Sequence, residues 1–422
     1  MKHSVIISKV GQTADGIATL SSGETVYVPN TLPNEEVVVE LGHKKGKAYS
    51  SQLIEIKSPS PERNTPPCPY YGKCGGCSAQ HMSPKFYLNW KKGIVLTALK
   101  RHGINTDLVD QPVILPSKAR RRTNLKASML KGKLAFGYRQ KSSHDIVNVD
   151  NCLVLRPELA ALFAPLKRFL GSFLKNKDTA EIWMSITNGQ IDLYLDLPKT
   201  ETLNYEQREE LADFAKCHNL ARLTVKTSLF EDPVFSNGIP QISFAGTNVA
   251  VSANRFLQAS DEADQALTGQ MLQFLEGAHL KKVADLFCGR GTFSFAFNKD
   301  VQVDGFEADK PALNALNDAS QMNKMKVKGI YKNLFSDPLM TSELNAYDAI
   351  VLDPPRDGAK EQSQNMAQSS VKHIVYISCS PNSFARDAEI LVQGGYEIQK
   401  IVPIDQFLWT NHIEVIALFI KR

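Results

Sequence analysis

Apolar and polar positions alternate over short stretches through residues 1–57. Val5-Ile6-Ile7, Thr25-Val26-Tyr27-Val28 and Val37-Val38-Val39 read as strands, and Gly11, Gly16, Gly23 and Asn30 mark the turns between them. Several short strands in so few residues predict a small β-barrel of the oligonucleotide-binding (OB) type. Residues 58–67, Ser-Pro-Ser-Pro-Glu-Arg-Asn-Thr-Pro-Pro, read as a linker. The pattern is mixed between 80 and 250. Helical periodicity marks Tyr87–Arg101, 157–174 and 204–217, and strand-like runs lie near 123–139, 181–195 and 223–228. From 262 the pattern becomes regular: a helix over 262–276, a strand Val283–Phe287, a helix, a strand Val301–Phe306, then strands Ala349–Asp353 and His373–Ser378. Strands alternating with helices predict a parallel sheet covered on both faces. The expected fold is therefore α/β. An OB-like barrel (1–57) and a mixed α+β central domain (58–250) precede a Rossmann-like domain (251–422).

Composition narrows the class. The chain has 422 residues, 43% of them hydrophobic, and a formal charge of +5. No long apolar run suggests a membrane span, and the first residues lack the apolar core of an export signal. A cytoplasmic protein with no membrane partner and no obligate protein partner is expected. The seven cysteines are odd in number, so metal binding or catalysis is a better expectation than disulfides.

Asp285-Leu-Phe-Cys-Gly289-Arg-Gly291 follows a buried strand. Its two glycines let the backbone approach a ligand at the carboxyl edge of the sheet. Glu307 ends the next strand, where a carboxylate can accept both hydroxyls of a ribose. A dinucleotide fingerprint would place a third glycine at position 294, which is Ser294, and no phosphate-binding Gly-Lys-Ser/Thr follows. A cofactor with ribose and adenine but no phosphate fits better, which means S-adenosylmethionine. Cys288 within this loop reads as structural.

Two more segments end strands of the same sheet: Leu352-Asp353-Pro354-Pro355-Arg356 and Tyr376-Ile377-Ser378-Cys379-Ser380-Pro381. In an open α/β sheet both should face the cofactor. A thiol there has a use. Uracil C5 is a poor nucleophile until a thiolate adds to C6 and turns the ring into an enolate. The C5 proton must later be removed, which needs a base such as a carboxylate. Glu414, in His412-Ile-Glu414, is the candidate base. His412 suits a structural or substrate-orienting place.

Taken together, the segments resemble the RNA uracil-C5 methyltransferase family. The likeness rests on Phe256-Leu-Gln258, Asp285 to Gly291, Asp353 to Arg356, Ser378 to Pro381 and His412-Ile-Glu414, in that order along the chain. It implies a class I methyltransferase domain with Cys379 as nucleophile and Glu414 as proton acceptor. It also implies that Gln258, Phe287, Thr292, Glu307, Asn333 and Asp353 line the S-adenosylmethionine site. The N-terminal segment resembles a TRAM domain through Asp15-Gly16-Ile-Ala and Val28 to Pro33. Three positions depart from the family pattern: Ser260, Leu408 and Ser380.

Cys68, Cys74 and Cys77 share a loop rich in proline and glycine, and Cys152 lies farther on. Four such cysteines can hold a four-iron cluster or a tetrahedral zinc. Three thiols from one irregular loop suit a cuboidal cluster better. Resemblance to the iron–sulfur branch that acts on 23S ribosomal RNA implies a 4Fe–4S cluster on these four residues. Residues 111–144 carry Lys118, Arg120, Arg121, Arg122, Lys126, Lys131, Lys133, Arg139 and Lys141 with no acidic residue among them. That run suggests RNA phosphate contacts, with Phe136, Tyr138 and His144 available to stack on bases. The target uracil is expected to flip out of its stack. Ribosomal RNA is the favoured substrate. Transfer RNA, a catalytically inactive RNA-binding iron–sulfur protein and a cytosine-C5 methyltransferase are the competing expectations.

Overall fold

The computed structural model describes residues 2–141 and 143–422. Residues 2–58 form a six-stranded sheet in the order Lys2–Ile6, Glu36–Lys45, Ala48–Ser58, Thr25–Val28, Gly16–Thr19, Lys9–Val10. The two edge strands are nearly consecutive in sequence. Ile7 N donates to Glu35 O, and Ser8 N donates to Ile17 O, so the sheet curls until its edges meet. Ile7, Ala18, Val26, Val28, Val37 and Val39 fill the interior, as the alternation of apolar residues predicts.

The central segment is built on a seven-stranded sheet ordered Ile146–Asn148, Lys133–Arg139, Arg122–Leu130, Thr179–Thr187, Gln190–Asp196, Arg222–Lys226, Glu231–Ser236. Helices Phe163–Phe173 and Tyr205–Cys217 cover its apolar face. The predicted helix over 157–174 is two pieces, Pro157–Ala161 and Phe163–Phe173. Helix Pro84–Arg101 is capped by Ser83, which accepts from Phe86 N, but its apolar side joins the C-terminal core instead.

The C-terminal sheet has eight strands, ordered Val327–Tyr331, Gln302–Glu307, Lys282–Leu286, Ala349–Leu352, His373–Ser378, Glu414–Lys421, Tyr396–Asp405, Val113–Ile114. The first five run parallel, and Glu414–Lys421 is antiparallel to both of its neighbours. Burial on both faces explains the unbroken apolar run Ala349–Leu352. Alternate residues of the strands feed two cores. One contains Leu286, Ile350 and Tyr376 beneath helices Pro84–Arg101 and Pro381–Gln393. The other contains Val283, Val351 and Ile377 beneath Asp261–Phe274 and Lys310–Asn323.

One predicted element is corrected here. After the Gly289–Gly291 loop the chain makes only a 3-10 turn, Ser294–Ala296, instead of a full helix. Phe293, Phe295 and Phe297 are all buried, so this segment is apolar on every side, and it packs as a core plug. Among the described residues no helix is long and apolar enough to cross a membrane.

Candidate active site

The carboxyl edge of the five parallel strands gathers most of the candidate residues. The loop after Lys282–Leu286 bends through left-handed backbone at Phe287 (φ 62°), Gly289 (φ 55°) and Gly291 (φ 92°). A Cβ at position 291 would stand 2.8 Å from the Phe295 ring, so only glycine fits there. Phe287 is the one non-glycine residue of the loop in this region, a strained conformation typical of functional turns. Its ring pairs with Phe335 at 5.3 Å between centroids. Glu307 folds over the loop: Oε2 accepts from Gly289 N (3.1 Å), and Oε1 accepts from Ala308 N and Asp309 N (2.6 and 2.8 Å).

Ser294, standing where a third glycine would mark a dinucleotide site, donates to Asp285 Oδ2 at 2.5 Å. The other oxygen of Asp285 has no partner among the described residues. Burial pushes the Asp285 carboxyl up to about 7, with Asp353 adding repulsion against the Ser294 hydrogen bond. Asp353 is pushed up as well, by burial first, while Gln258 Nε2, 3.2 Å from its Oδ2, opposes the shift. Asp285 Oδ1, buried and unpartnered beside Asp353, suits a ligand that carries positive charge, as a sulfonium and an ammonium do.

Cys379 and Glu414 meet because of strand register. Ser378 pairs with Val415 across the antiparallel ladder, and Ile404 pairs with Glu414 on the other side. One step past Ser378 and Val415, Cys379 and Glu414 stand opposite each other at the edge of the sheet. Glu414 is 4% exposed. Its Oε1 accepts from Gln406 Nε2 at 2.8 Å, and Gln406 Nε2 also lies 3.3 Å from Gln258 Oε1. Gln258, Asp353, Gln406 and Glu414 therefore form one chain of contacts. Burial raises the Glu414 carboxyl, nearby Asp353 raises it further, and the Gln406 hydrogen bond and Arg356 pull it down. The Cys379 thiol is pushed up to about 11 by burial, then by Glu414 and Asp353, with Arg356 as the opposing cation. Cys379 also lies just before helix Pro381–Gln393, whose first turn Ser380 caps.

The loop 406–413 is held from behind. Lys91 Nζ donates to Asp405 Oδ1 at 2.9 Å with both side chains fully buried, Tyr87 OH donates to the other oxygen at 2.5 Å, and Trp409 N donates to Tyr87 OH at 2.8 Å. Lys91 also donates to the His412 carbonyl. Arg356 Nη2 lies 3.0 Å from His412 Nδ1. Burial, then the charges of Arg356, Lys91 and Arg120, keep the His412 imidazole below its ordinary proton affinity.

A second site lies in the central segment. Cys68, Cys74, Cys77 and Cys152 line one cavity of about 220 Å³ together with Gln80 and Tyr138. Burial raises the thiols of Cys74, Cys77 and Cys152, with Cys77 pushed up to about 12 and mutual repulsion contributing. Among the described residues no three His, Cys, Asp or Glu side chains are grouped so as to hold a metal ion.

Known proteins share this architecture. The family model for tRNA (uracil-5-)-methyltransferase matches residues 247–422. An uncharacterized RNA methyltransferase of Brucella suis biovar 1 (strain 1330) is 36% identical over 419 residues, 99% of this chain and 97% of that protein. The 23S rRNA (uracil(1939)-C(5))-methyltransferase RlmD of Vibrio vulnificus (strain YJ016) is 31% identical over 433 residues, 100% of this chain and 97% of that one. The chain belongs to the RNA uracil-C5 methyltransferase family. Among solved structures, the Pyrococcus abyssi tRNA (uracil-54, C5)-methyltransferase in complex with S-adenosyl-L-homocysteine has the same fold, with a TM-score of 0.75 at 19% identity and 100% of both chains covered. The protein is an S-adenosylmethionine-dependent enzyme, and RNA is its substrate.

Within this methyltransferase, Gln258, Phe287, Glu307 and Asp353 converge with Cys379 and Glu414 on one edge of the sheet. Thr292 is half-buried at the end of the loop. Asn333 is turned to its own backbone, its Oδ1 accepting from Phe335 N at 3.1 Å, and reaches the loop only through the Phe335–Phe287 ring pair. Gln406 and Arg290 lie in the same assembly and were not singled out by sequence. Gln406 lies two residues past Ile404, the strand partner of Glu414, and only its side-chain hydrogen bond to that carboxylate reveals it.

The expected basic surface needs correction. Arg121 is 1% exposed and binds Asp261 and Asp264, Lys126 pairs with Glu181, and Lys141 pairs with Asp15, so three of the nine charges are internal or paired. Phe136 is fully buried against Phe163, so its ring is not available to stack on a base, and Tyr138 is half-buried with its hydroxyl hydrogen-bonded to Thr123. Apolar packing outcompetes exposure for large rings in an amphipathic strand. Lys118, Lys131, Lys133, Arg139 and His144 are exposed.

Proposed function

We propose that this chain methylates C5 of one uridine in 23S ribosomal RNA, giving 5-methyluridine, with Cys379 as nucleophile and Glu414 as the acceptor of the C5 proton. The register that sets these two side chains face to face carries the reading. Cys379 Sγ bonds to C6, and the electrons of the C5–C6 double bond move toward O4. When bound, S-adenosylmethionine supplies an electrophilic methyl group to C5. Glu414 then takes the C5 proton, the C5–C6 double bond re-forms and the thiolate leaves. A buried carboxylate with raised proton affinity is a stronger base than one in water, which suits that step. Arg356 is the cation placed to favour the Cys379 thiolate.

Gln258, Phe287, Thr292, Glu307, Asn333 and Asp353 would hold the cofactor. The unpartnered Asp285 Oδ1 and the Gly291 turn fit it. Residues 1–57 would act as a TRAM-like, OB-type RNA-binding barrel, 58–250 as the domain carrying the cysteine site and the exposed basic residues, and 251–422 as the catalytic domain. Cys68, Cys74, Cys77 and Cys152 would hold a 4Fe–4S cluster. Four thiols around one cavity are the right donor set, and iron would relieve their mutual repulsion. Its part would be to pin a loop that has little apolar core.

Ribosomal RNA is favoured over transfer RNA by the full-length likeness to a 23S enzyme at 31% identity. The deciding experiment maps 5-methyluridine in both RNAs from cells lacking this protein. Loss from 23S RNA is expected, and loss from transfer RNA alone would overturn the substrate assignment.

A further inference from the structure

Arg290 sits between Gly289 and Gly291, and only 6% of it reaches solvent. Nη1 donates to the Phe256 carbonyl at 3.1 Å. Nε and Nη2 have no partner among the described residues. These two nitrogens form one edge of the guanidinium, the edge that grips a carboxylate through two parallel hydrogen bonds. A buried cation with its best donors unengaged costs free energy, because those donors have lost their hydration with nothing in exchange. Burial lowers its proton affinity, Asp309 and Glu307 support the charge, and Arg255 opposes it. Neither nearby carboxylate fills the vacant edge: both Glu307 oxygens bond backbone N–H groups, and no bond joins Asp309 to Arg290.

We infer that the Nε–Nη2 edge of Arg290 binds the carboxylate at the amino-acid end of S-adenosylmethionine. The inference rests on the reading that the Phe287–Gly291 loop holds the cofactor. Two observations favour this anion. The Phe256 carbonyl ties Arg290 to the segment that continues into Gln258, whose amide bonds Asp353, so Arg290 and Gln258 belong to one wall. The guanidinium is also too enclosed for a phosphate of an RNA backbone, which would meet the exposed Phe256 ring first. Both nitrogens are buried, so the anion that suits them is one carried on a small ligand seated within the loop and not one on a polymer lying over the surface. Arg290 is thus a cofactor-binding residue, acting through charge at the end of the cofactor remote from the methyl group.

The test is calorimetric titration of the full-length protein with S-adenosylhomocysteine and with 5′-methylthioadenosine, which lacks the amino-acid end. For Arg290→Met, the affinity for S-adenosylhomocysteine should fall by about tenfold to a hundredfold, the loss of one charge-assisted pair. Affinity for 5′-methylthioadenosine should stay unchanged. Equal weakening of both ligands would mean a damaged loop, and weakening of neither would mean an unrelated side chain; either overturns the inference. If S-adenosylhomocysteine binds Arg290→Met normally but the salt dependence of RNA binding drops by about one phosphate contact, the anion is a phosphate and the inference also fails. Wild-type protein that binds neither nucleoside would strike the cofactor site itself, a different result from a silent Arg290→Met.

Discussion

Gln406 Nε2 donates to Glu414 Oε1 at 2.8 Å while its own Oε1 accepts from Ala259 N at 3.3 Å. The amide is fixed at both ends, so it holds the carboxylate in one rotamer and lowers its proton affinity. Gln406→Leu should free Glu414 and raise its proton affinity further. Turnover is expected to fall by about tenfold or more, and the acid limb of the pH–rate profile should move to higher pH. Steady-state kinetics across pH distinguish this from a general loss of folding, which would lower the profile without moving it.

Cys379→Ala should abolish the covalent enzyme–RNA complex and reduce methylation by roughly 10³-fold or more, since no other group in the site can add to C6. RNA containing 5-fluorouracil presents no C5 proton for removal and should trap wild-type protein in a complex that survives denaturing electrophoresis. Glu414→Gln should accumulate a similar complex with ordinary RNA, because expulsion of the thiolate waits on that proton.

Asp285, Asp353 and Glu414 all hold protons more tightly in the folded chain than in the unfolded one, chiefly through burial. Above the ordinary carboxylate range the unfolded chain therefore binds fewer protons, so stability falls as pH rises, the opposite of a salt-bridged carboxylate. For Asp285 the loss runs from about pH 4 up through its folded value of about 7. Thermal unfolding should show a declining Tm over this window. Asp285→Asn should flatten the decline, and added S-adenosylmethionine, which is cationic, should offset it most at the alkaline end.

Arg121 links the central sheet to the cofactor wall: its backbone N donates to Ala259 O at 2.8 Å, Nε to Gln258 O at 3.2 Å and Nη2 to Asp264 Oδ2 at 2.7 Å. Arg121→Ala leaves the buried Asp264 without its counter-charge and should cost about 3 kcal/mol or more. The Tm should fall, and affinity for S-adenosylhomocysteine should fall with it, because Gln258 loses its anchor. Both are read by a thermal shift with and without ligand.

Protein purified without oxygen should carry iron and acid-labile sulfide near four per chain, and Cys152→Ser should lower both. Zinc in their place, with no brown colour, would remove the cluster from the account.

Much of the site was legible in the sequence because chemistry of this kind depends on local segments. Asp285 to Gly291, Asp353 to Arg356 and Ser378 to Pro381 each end a strand, and parallel topology delivers all such ends to one edge. Strand positions in the C-terminal half followed from long apolar runs. The segment after Gly291 misled because three phenylalanines within a few residues match a buried helix and a core plug equally well. Phe136 and Arg121 misled for a related reason: composition counts rings and charges but not the direction in which each strand turns them.

The sequence by itself located most of the strands, the candidate nucleophile, the candidate base and the candidate cofactor loop, because periodicity and spacing act over a few residues. Only tertiary structure decided how they meet. The antiparallel return of Glu414–Lys421 beside His373–Ser378 sets Glu414 opposite Cys379. The return of Tyr396–Asp405 brings Gln406 to Glu414, and Arg290 is enclosed against Phe256 with one edge buried and unbonded. Each depends on long-range register and burial, which fix a side chain's partners and proton affinity only when distant segments pack together.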